Sequence, residues 1–117
     1  MKVRITPFTP EGVITAPPSK SVAMRYILLA AVADGKTVIE NVGDSADVLA
    51  AIDCAGSLGA EVDYDGRSVI VYGIKTLPET VDFDFGECGF LLRTVIPVAN
   101  ALGVKFSYRT CGNLSLR

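Results

Sequence analysis

Ser19-Lys20-Ser21-Val22-Ala23-Met24-Arg25-Tyr26-Ile27-Leu28-Leu29-Ala30-Ala31-Val32-Ala33 is the stretch that decides the fold. Pro17-Pro18 precedes it and Asp34-Gly35 follows, so the segment reads as one helix capped by Ser19 and stopped near Ala33. After Arg25 the residues are apolar around the whole circumference. A helix of that kind is buried on every side. Phe90–Leu102 has the same character, interrupted only by Arg93, Thr94 and Asn100, with Pro97 expected to kink it. The fold expected from these two helices is an α/β arrangement of the α+β type, with helices inside and sheets outside.

On the amino-terminal side, Lys2–Thr6 alternates and reads as a strand, and Gly12–Ala16 as a second short one. Lys36–Asn41 is rich in β-branched residues and predicts a strand. Ser45 caps a second helix that ends near Ser57–Gly59. Ala60–Tyr64 and Ser68–Tyr72 form a hairpin on the turn signal Asp65-Gly66. Val81–Phe85 is the next strand, followed by a helix over about Cys88–Leu102 and a strand over Val104–Arg109. From Gly12 the order is βαβαββ, and after Thr80 it restarts. The expectation is one complete unit and about half of a second, forming a single partial domain over residues 1–117.

Composition narrows the chemistry. Half of the 117 residues are hydrophobic, enough to fill a core and to leave apolar faces for the rest of a chain or a second copy to cover. A net charge of −2 gives no basic excess of the kind that binds nucleic acid. No run is long enough to cross a bilayer and no leader opens the chain, so the cytoplasm is the expected location. The three cysteines, Cys54, Cys88 and Cys111, have no paired spacing for a zinc site or a disulfide framework. With no histidine, Ser-His-Asp and Cys-His catalysis are excluded from this segment, as is histidine ligation of a metal.

Two clusters carry candidate chemistry. Ser19-Lys20-Ser21 opens a helix, where free N–H groups and the helix dipole attract an anion. Ser21 and Arg25 are four apart and share a face, and Lys20 adds charge at the same end. The alternative is an ordinary cap with solvated bases. Gly86-Glu87-Cys88-Gly89 precedes the third helix, and its glycines permit a ligand close to the backbone. Arg93 falls in the apolar part of that helix and, if buried, needs a partner: Glu87, Asp47 or an anionic ligand. Asp44, Asp47 and Asp53 lack metal-ligand spacing, and Asp47 reads as a first-turn carboxylate complementing the helix dipole.

At these residues the chain resembles a known family. Pro18-Ser19-Lys20-Ser21-Val22-Ala23-Met24-Arg25 resembles the Pro-x-Ser-Lys-Ser-x-x-x-Arg signature of 5-enolpyruvylshikimate-3-phosphate synthases, the 3-phosphoshikimate 1-carboxyvinyltransferases. Ser45-x-Asp47-Val48 leading to Leu58-Gly59-Ala60, Gly86-x-x-Gly89-x-x-x-Arg93 and Gly112-x-x-Ser115-Leu116 are similar to the family's further motifs, in order and spacing. The resemblance implies a transferase that moves the enolpyruvyl group of phosphoenolpyruvate to the 5-hydroxyl of shikimate 3-phosphate, in the shikimate pathway of aromatic amino acid biosynthesis, with no metal or organic cofactor. It implies a two-domain fold of repeated βαβαββ units, of which this is an amino-terminal piece inactive by itself, with residues 1–17 packing partly on the other domain across a hinge at Pro17-Pro18.

By position, the resemblance makes Lys20 catalytic and a contact to both substrates. It gives Ser21 and Arg25 to shikimate 3-phosphate, Gly89 to phosphoenolpyruvate, and Arg93 to the support of the anionic site. The chain departs from the pattern at Glu87-Cys88-Gly89-Phe90, where the family more often has Asn-Ala-Gly-Thr. Both Glu87 and Phe90 bear on the phosphoenolpyruvate subsite, and Glu87 is expected to pair with a base such as Arg93. Two other readings stand beside this one. A related UDP-N-acetylglucosamine enolpyruvyl transferase usually has Lys-Asn in place of Lys20-Ser21. A non-catalytic anion-binding module would also use the helix-start site.

Overall fold

The computed structural model describes residues 1–116. Helix α1 spans Lys20–Val32 and is followed by strand β1, Lys36–Ile39. Helix α2 covers Ala46–Ser57, and the hairpin strands are β2, Glu61–Tyr64, and β3, Val69–Tyr72. Strand β4 (Thr80–Asp84), helix α3 (Gly89–Ala101) and strand β5 (Lys105–Arg109) complete the regular elements, with a short 3-10 turn over Gly112–Leu116.

The strands form two sheets. In the first the order is β1-β3-β2, with both neighbours antiparallel to β3. The central strand is therefore the last to arrive, inserted between two strands already linked by α2. Its turn is built as the sequence predicts. Asp65 Oδ1 accepts from the Arg67 and Ser68 amides at 2.8 and 2.6 Å, and the Asp65 amide donates to the Ser68 carbonyl. In the second sheet β4 and β5 run parallel, joined by α3, because a parallel pair needs a long crossover.

Alternation along β4 turns Val81 and Phe83 inward, and Phe85 continues that face. The rings of Phe83 and Phe85 stack with centroids 5.5 Å apart, and Phe106 and Tyr108 flank them. Helix α2 touches α1, α3, β2 and β4 and so lies between the two sheets. Its buried Ala51 and Ala55 face the same core as Ala23, Ala30 and Ala31 of α1, small side chains that let helices approach. The larger core residues Ile27, Leu58 and Leu91 are fully buried, each worth about 1.5–3 kcal/mol of hydrophobic transfer. The end of β3 closes on α1: Gly73 and Ile74 donate amides to the carbonyls of Gly35 and Ala31, both at 2.9 Å.

Three expectations are corrected. Lys2–Thr6 and Gly12–Ala16 are not strands; residues 1–17 are exposed and carry no secondary structure apart from a bend at Gly12. Alternation gives a segment a face, but a strand exists only where another edge takes its hydrogen bonds. The opening strand of the expected first unit is therefore not formed among the described residues. Second, α1 is not buried on all sides. Ala23, Met24, Ile27, Ala30 and Ala31 are covered, whereas Tyr26 and Leu29 remain 55% and 60% exposed. Third, Arg93 is exposed, although its helix is largely apolar. Apolar α3 residues bury one stripe, Leu91, Val95 and Ala99, and Arg93 falls off it. Pro97 lies within α3 without ending it.

Candidate functional site at three helix starts

The amino-terminal ends of the three helices meet, and the contacts between them involve the residues singled out by sequence. Lys20, in the first turn of α1, places its Nζ 2.7 Å from Asp47 Oδ2 in the first turn of α2. Met24 Sδ lies 3.7 Å from the thiol of Cys88, the N-cap position of α3. Beside this contact, the guanidinium carbon of Arg25 sits 4.6 Å from the ring centroid of Phe90.

Capping separates these helices. Ser45 caps α2 through its side chain, accepting from the Val48 amide at 3.4 Å. Ser19 occupies the equivalent position of α1, but its hydroxyl makes no cap hydrogen bond, and only its carbonyl accepts, from Val22 and Ala23. Cys88 does not cap α3 through its side chain either. The two helices that carry the basic and glycine motifs are thus the two whose first-turn amides lack a side-chain cap, which keeps the positive ends of their dipoles open to an anion.

Electrostatics at this end are set by the Lys20–Asp47 pair. The hydrogen bond from Lys20 to Asp47, then the carboxylate's charge, holds the Lys20 ammonium above the ordinary lysine value. Lys20 is positive at neutral pH as any exposed lysine is, and the half-buried Asp47 carboxylate aims it. Ser21 and Arg25 lie exposed on the same helix end, and Arg25 Nη1 donates to the Ser21 carbonyl at 2.6 Å.

Gly89 and Arg93 belong to a neighbouring open pocket of about 800 Å³, with Glu87, Phe90, Asn113 and Ser115 among its walls. A Cβ on Gly89 would come within 3.2 Å of Arg93 Nη1 and 3.3 Å of Leu114 Cδ1, so the absent side chain lets Arg93 and Leu114 pack close against the start of α3. Lys20, Ser21 and Arg25 do not line this pocket. Phe90 does, and its ring also meets Arg25, so it is the wall between the two groups.

Glu87 does not pair with Arg93, contrary to the expectation from sequence. Its Oε1 accepts instead from the Asn113 amide at 3.0 Å and ties the 3-10 turn to the glycine loop. Arg93 makes no ion pair among the described residues. Two participants escape sequence reasoning. Asp47 reads there as a dipole complement or a partner for Arg93, and nothing in its spacing identifies Lys20, twenty-seven positions earlier, as the base it holds. Phe90 stands out in the sequence by its size, but its contact with Arg25 joins separate elements and has no local signal. Cys88 is packing volume: it is buried against Met24.

Comparison with known proteins places the chain in a family. The family model described as EPSP synthase (3-phosphoshikimate 1-carboxyvinyltransferase) matches residues 7–117. A 3-phosphoshikimate 1-carboxyvinyltransferase of Clostridium perfringens is 34% identical over 118 residues, covering 99% of this chain and 28% of that protein. The Bacillus pumilus protein of the same name is 32% identical over 91% of this chain and 25% of its own length. That of Burkholderia lata is 37% identical over 81% of this chain and 22% of its own. This chain thus spans about a quarter of the length of the curated relatives it matches. Among solved structures, EPSP synthase from Acinetobacter baumannii superposes with a TM-score of 0.71 at 23% identity, covering 91% of this chain and 25% of that one, which supports the mixed helix and strand fold. No helix among the described residues is long and apolar enough to cross a membrane. With its basic motif and its glycine motif brought together at adjoining helix starts, the chain belongs to the EPSP synthase (3-phosphoshikimate 1-carboxyvinyltransferase) family.

Proposed function

We propose that this chain forms the amino-terminal part of an enzyme that transfers the enolpyruvyl group of phosphoenolpyruvate to the 5-hydroxyl of shikimate 3-phosphate, releasing phosphate. The observation that carries the reading is that the helix start bearing Lys20, Ser21 and Arg25 adjoins the one bearing Gly89, through the Arg25–Phe90 and Met24–Cys88 contacts, in a chain of this family. Both substrates are multiply anionic. Two uncapped helix ends, a fixed ammonium and a guanidinium offer donors and positive charge without a metal.

In this reading Lys20 is the catalytic residue of the segment. Its ammonium, positioned by Asp47, stabilises negative charge that grows near the reacting centre, where preorganised donors act most strongly. Ser21 and Arg25 hold shikimate 3-phosphate. The backbone at Gly89 receives phosphoenolpyruvate, and Arg93, exposed beside it, adds charge to that subsite. Residues 1–17 pack in the complete protein on the partner domain, and Gly12–Ala16 there becomes the opening strand of a βαβαββ unit. The exposure of Val13 and Ile14 fits a segment whose pairing edge lies elsewhere.

The test is phosphate release by a complete protein carrying this chain, supplied with shikimate 3-phosphate and phosphoenolpyruvate. Release that requires both substrates supports the reading. No release with this pair overturns it, and release with UDP-N-acetylglucosamine as acceptor would assign the chain to the related transferase instead.

A further inference from the structure

We propose that Phe90 is a positioning residue for Arg25, fixing the direction in which its guanidinium meets an anionic substrate; this rests on the reading of Arg25 as a substrate contact. Arg25 is exposed at the start of α1, and a long exposed side chain ordinarily samples many rotamers. Here it is restrained twice. Nη1 donates to the Ser21 carbonyl at 2.6 Å, and the guanidinium carbon lies over the Phe90 ring at 4.6 Å.

The two restraints differ in what they consume. The carbonyl takes an N–H donor. The ring attracts the cation through its quadrupole and takes none. The remaining donors of the planar fork stay free for an oxyanion, and binding it then costs less side-chain entropy. Phe90 is itself well held. It is half-buried and packs against the hydrophobic core, and its carbonyl accepts from Thr94 Oγ1 at 2.8 Å. An aromatic ring here is therefore a device by which α3 orients a residue of α1.

The experiment compares the complete protein with its Phe90→Leu and Phe90→Tyr variants. Leucine keeps apolar volume and removes the ring; tyrosine keeps the ring. The first readout is the Arg25 Nε–Hε resonance, which a neighbouring ring shifts. It is expected to move toward the ordinary arginine position in Phe90→Leu and to stay in Phe90→Tyr. The second is steady-state kinetics. KM for shikimate 3-phosphate should rise roughly two- to fivefold in Phe90→Leu relative to Phe90→Tyr, which keeps the ring. An Arg25 resonance indifferent to the ring, or an unchanged KM for that substrate, overturns the inference. A wild-type protein that turns over neither substrate sinks the enzymatic reading separately. Titration with inorganic phosphate then decides the positioning role: a response at Arg25 that is weaker in Phe90→Leu supports it, and an equal response refutes it.

Discussion

Asp47 Oδ2 stands 2.7 Å from Lys20 Nζ, so the first turn of α2 aims the lysine that opens α1. The hydrogen bond to the carboxylate, and its charge, raise the lysine's pKa above its ordinary value of 10.5. A raised folded-state value means that the pair's contribution to stability is complete below the unfolded value and is lost as pH rises through the folded one. Asp47→Asn should lower the Lys20 pKa toward 10.5, as followed by the side-chain NMR shifts of Lys20 through an alkaline titration. An unchanged midpoint would mean that the carboxylate does not govern the ammonium.

Lys20→Met, made in a complete protein carrying this chain, removes the charge and keeps much of the volume. The expected loss in kcat is on the order of a hundred- to thousandfold, typical of deleting one preorganised donor at a reacting centre. KM should rise for both phosphoenolpyruvate and shikimate 3-phosphate. A change confined to one substrate would remove the dual contact from the reading.

Acid should weaken the second sheet through Asp84. The Arg109 guanidinium, 2.8 Å away, and then the Gly86 amide hold its carboxyl below the ordinary aspartate value of 3.8. A depressed value contributes stability above the unfolded pKa, lost as pH falls through the folded one. Melting temperatures of wild type should therefore fall more steeply below about pH 4 than those of Asp84→Asn. Parallel curves would show that this exposed pair contributes nothing.

Thiol labelling should separate the cysteines. Cys111 is exposed, while Cys54 and Cys88 are buried. Burial, reinforced by the charge of Asp53, pushes the Cys54 thiol up to about 12, so almost no thiolate forms at neutral pH. With a disulfide reagent near pH 8, close to the ordinary thiol value, Cys111 should react quickly and Cys54 only after unfolding. Rapid native labelling of Cys54 would contradict its packing.

Two glycine substitutions should move stability in opposite directions. A Cβ on Gly73 would collide with the Ala33 carbonyl oxygen, a backbone atom that cannot step aside. Gly73→Ala should cost about 1–3 kcal/mol. Gly56, inside α2, has open space around its missing Cβ. Gly56→Ala should stabilise by about 0.5–1 kcal/mol through helix propensity. Calorimetric melts of the two variants give both signs.

Periodicity and turn chemistry make most of the fold legible. Ser45 caps α2, Asp65 builds the hairpin turn, and the three helices begin and end within a residue or two of the expected places. What fails is pairing. The alternation at Lys2–Thr6 is real, but a strand is a relation between two segments and no neighbouring edge takes this one, nor Gly12–Ala16 after it. The burial expected of Arg93 fails for a related reason: an apolar composition reads as burial all round until the positions of the neighbouring elements are known. At the site, the motif residues Lys20, Ser21, Arg25 and Gly89 are visible one by one. Their links through Asp47 and Phe90 cross between helices, where local spacing carries no signal.

The position of β1 has a consequence for handling the chain. Among the described residues the only strand paired with it is β3, so its outer row of amides and carbonyls is open, beside the half-exposed Val38. Such a row templates another strand, and charges flanking it are what usually prevent this. Here Lys36 and Glu40 bracket the strand and supply that protection, Lys36 while leaning over the Tyr72 ring at 5.7 Å. Because the protection is electrostatic, added salt screens it within roughly a nanometre. Light scattering should therefore detect self-association of the chain that grows with ionic strength, whereas aggregation driven by loss of net charge would follow pH instead.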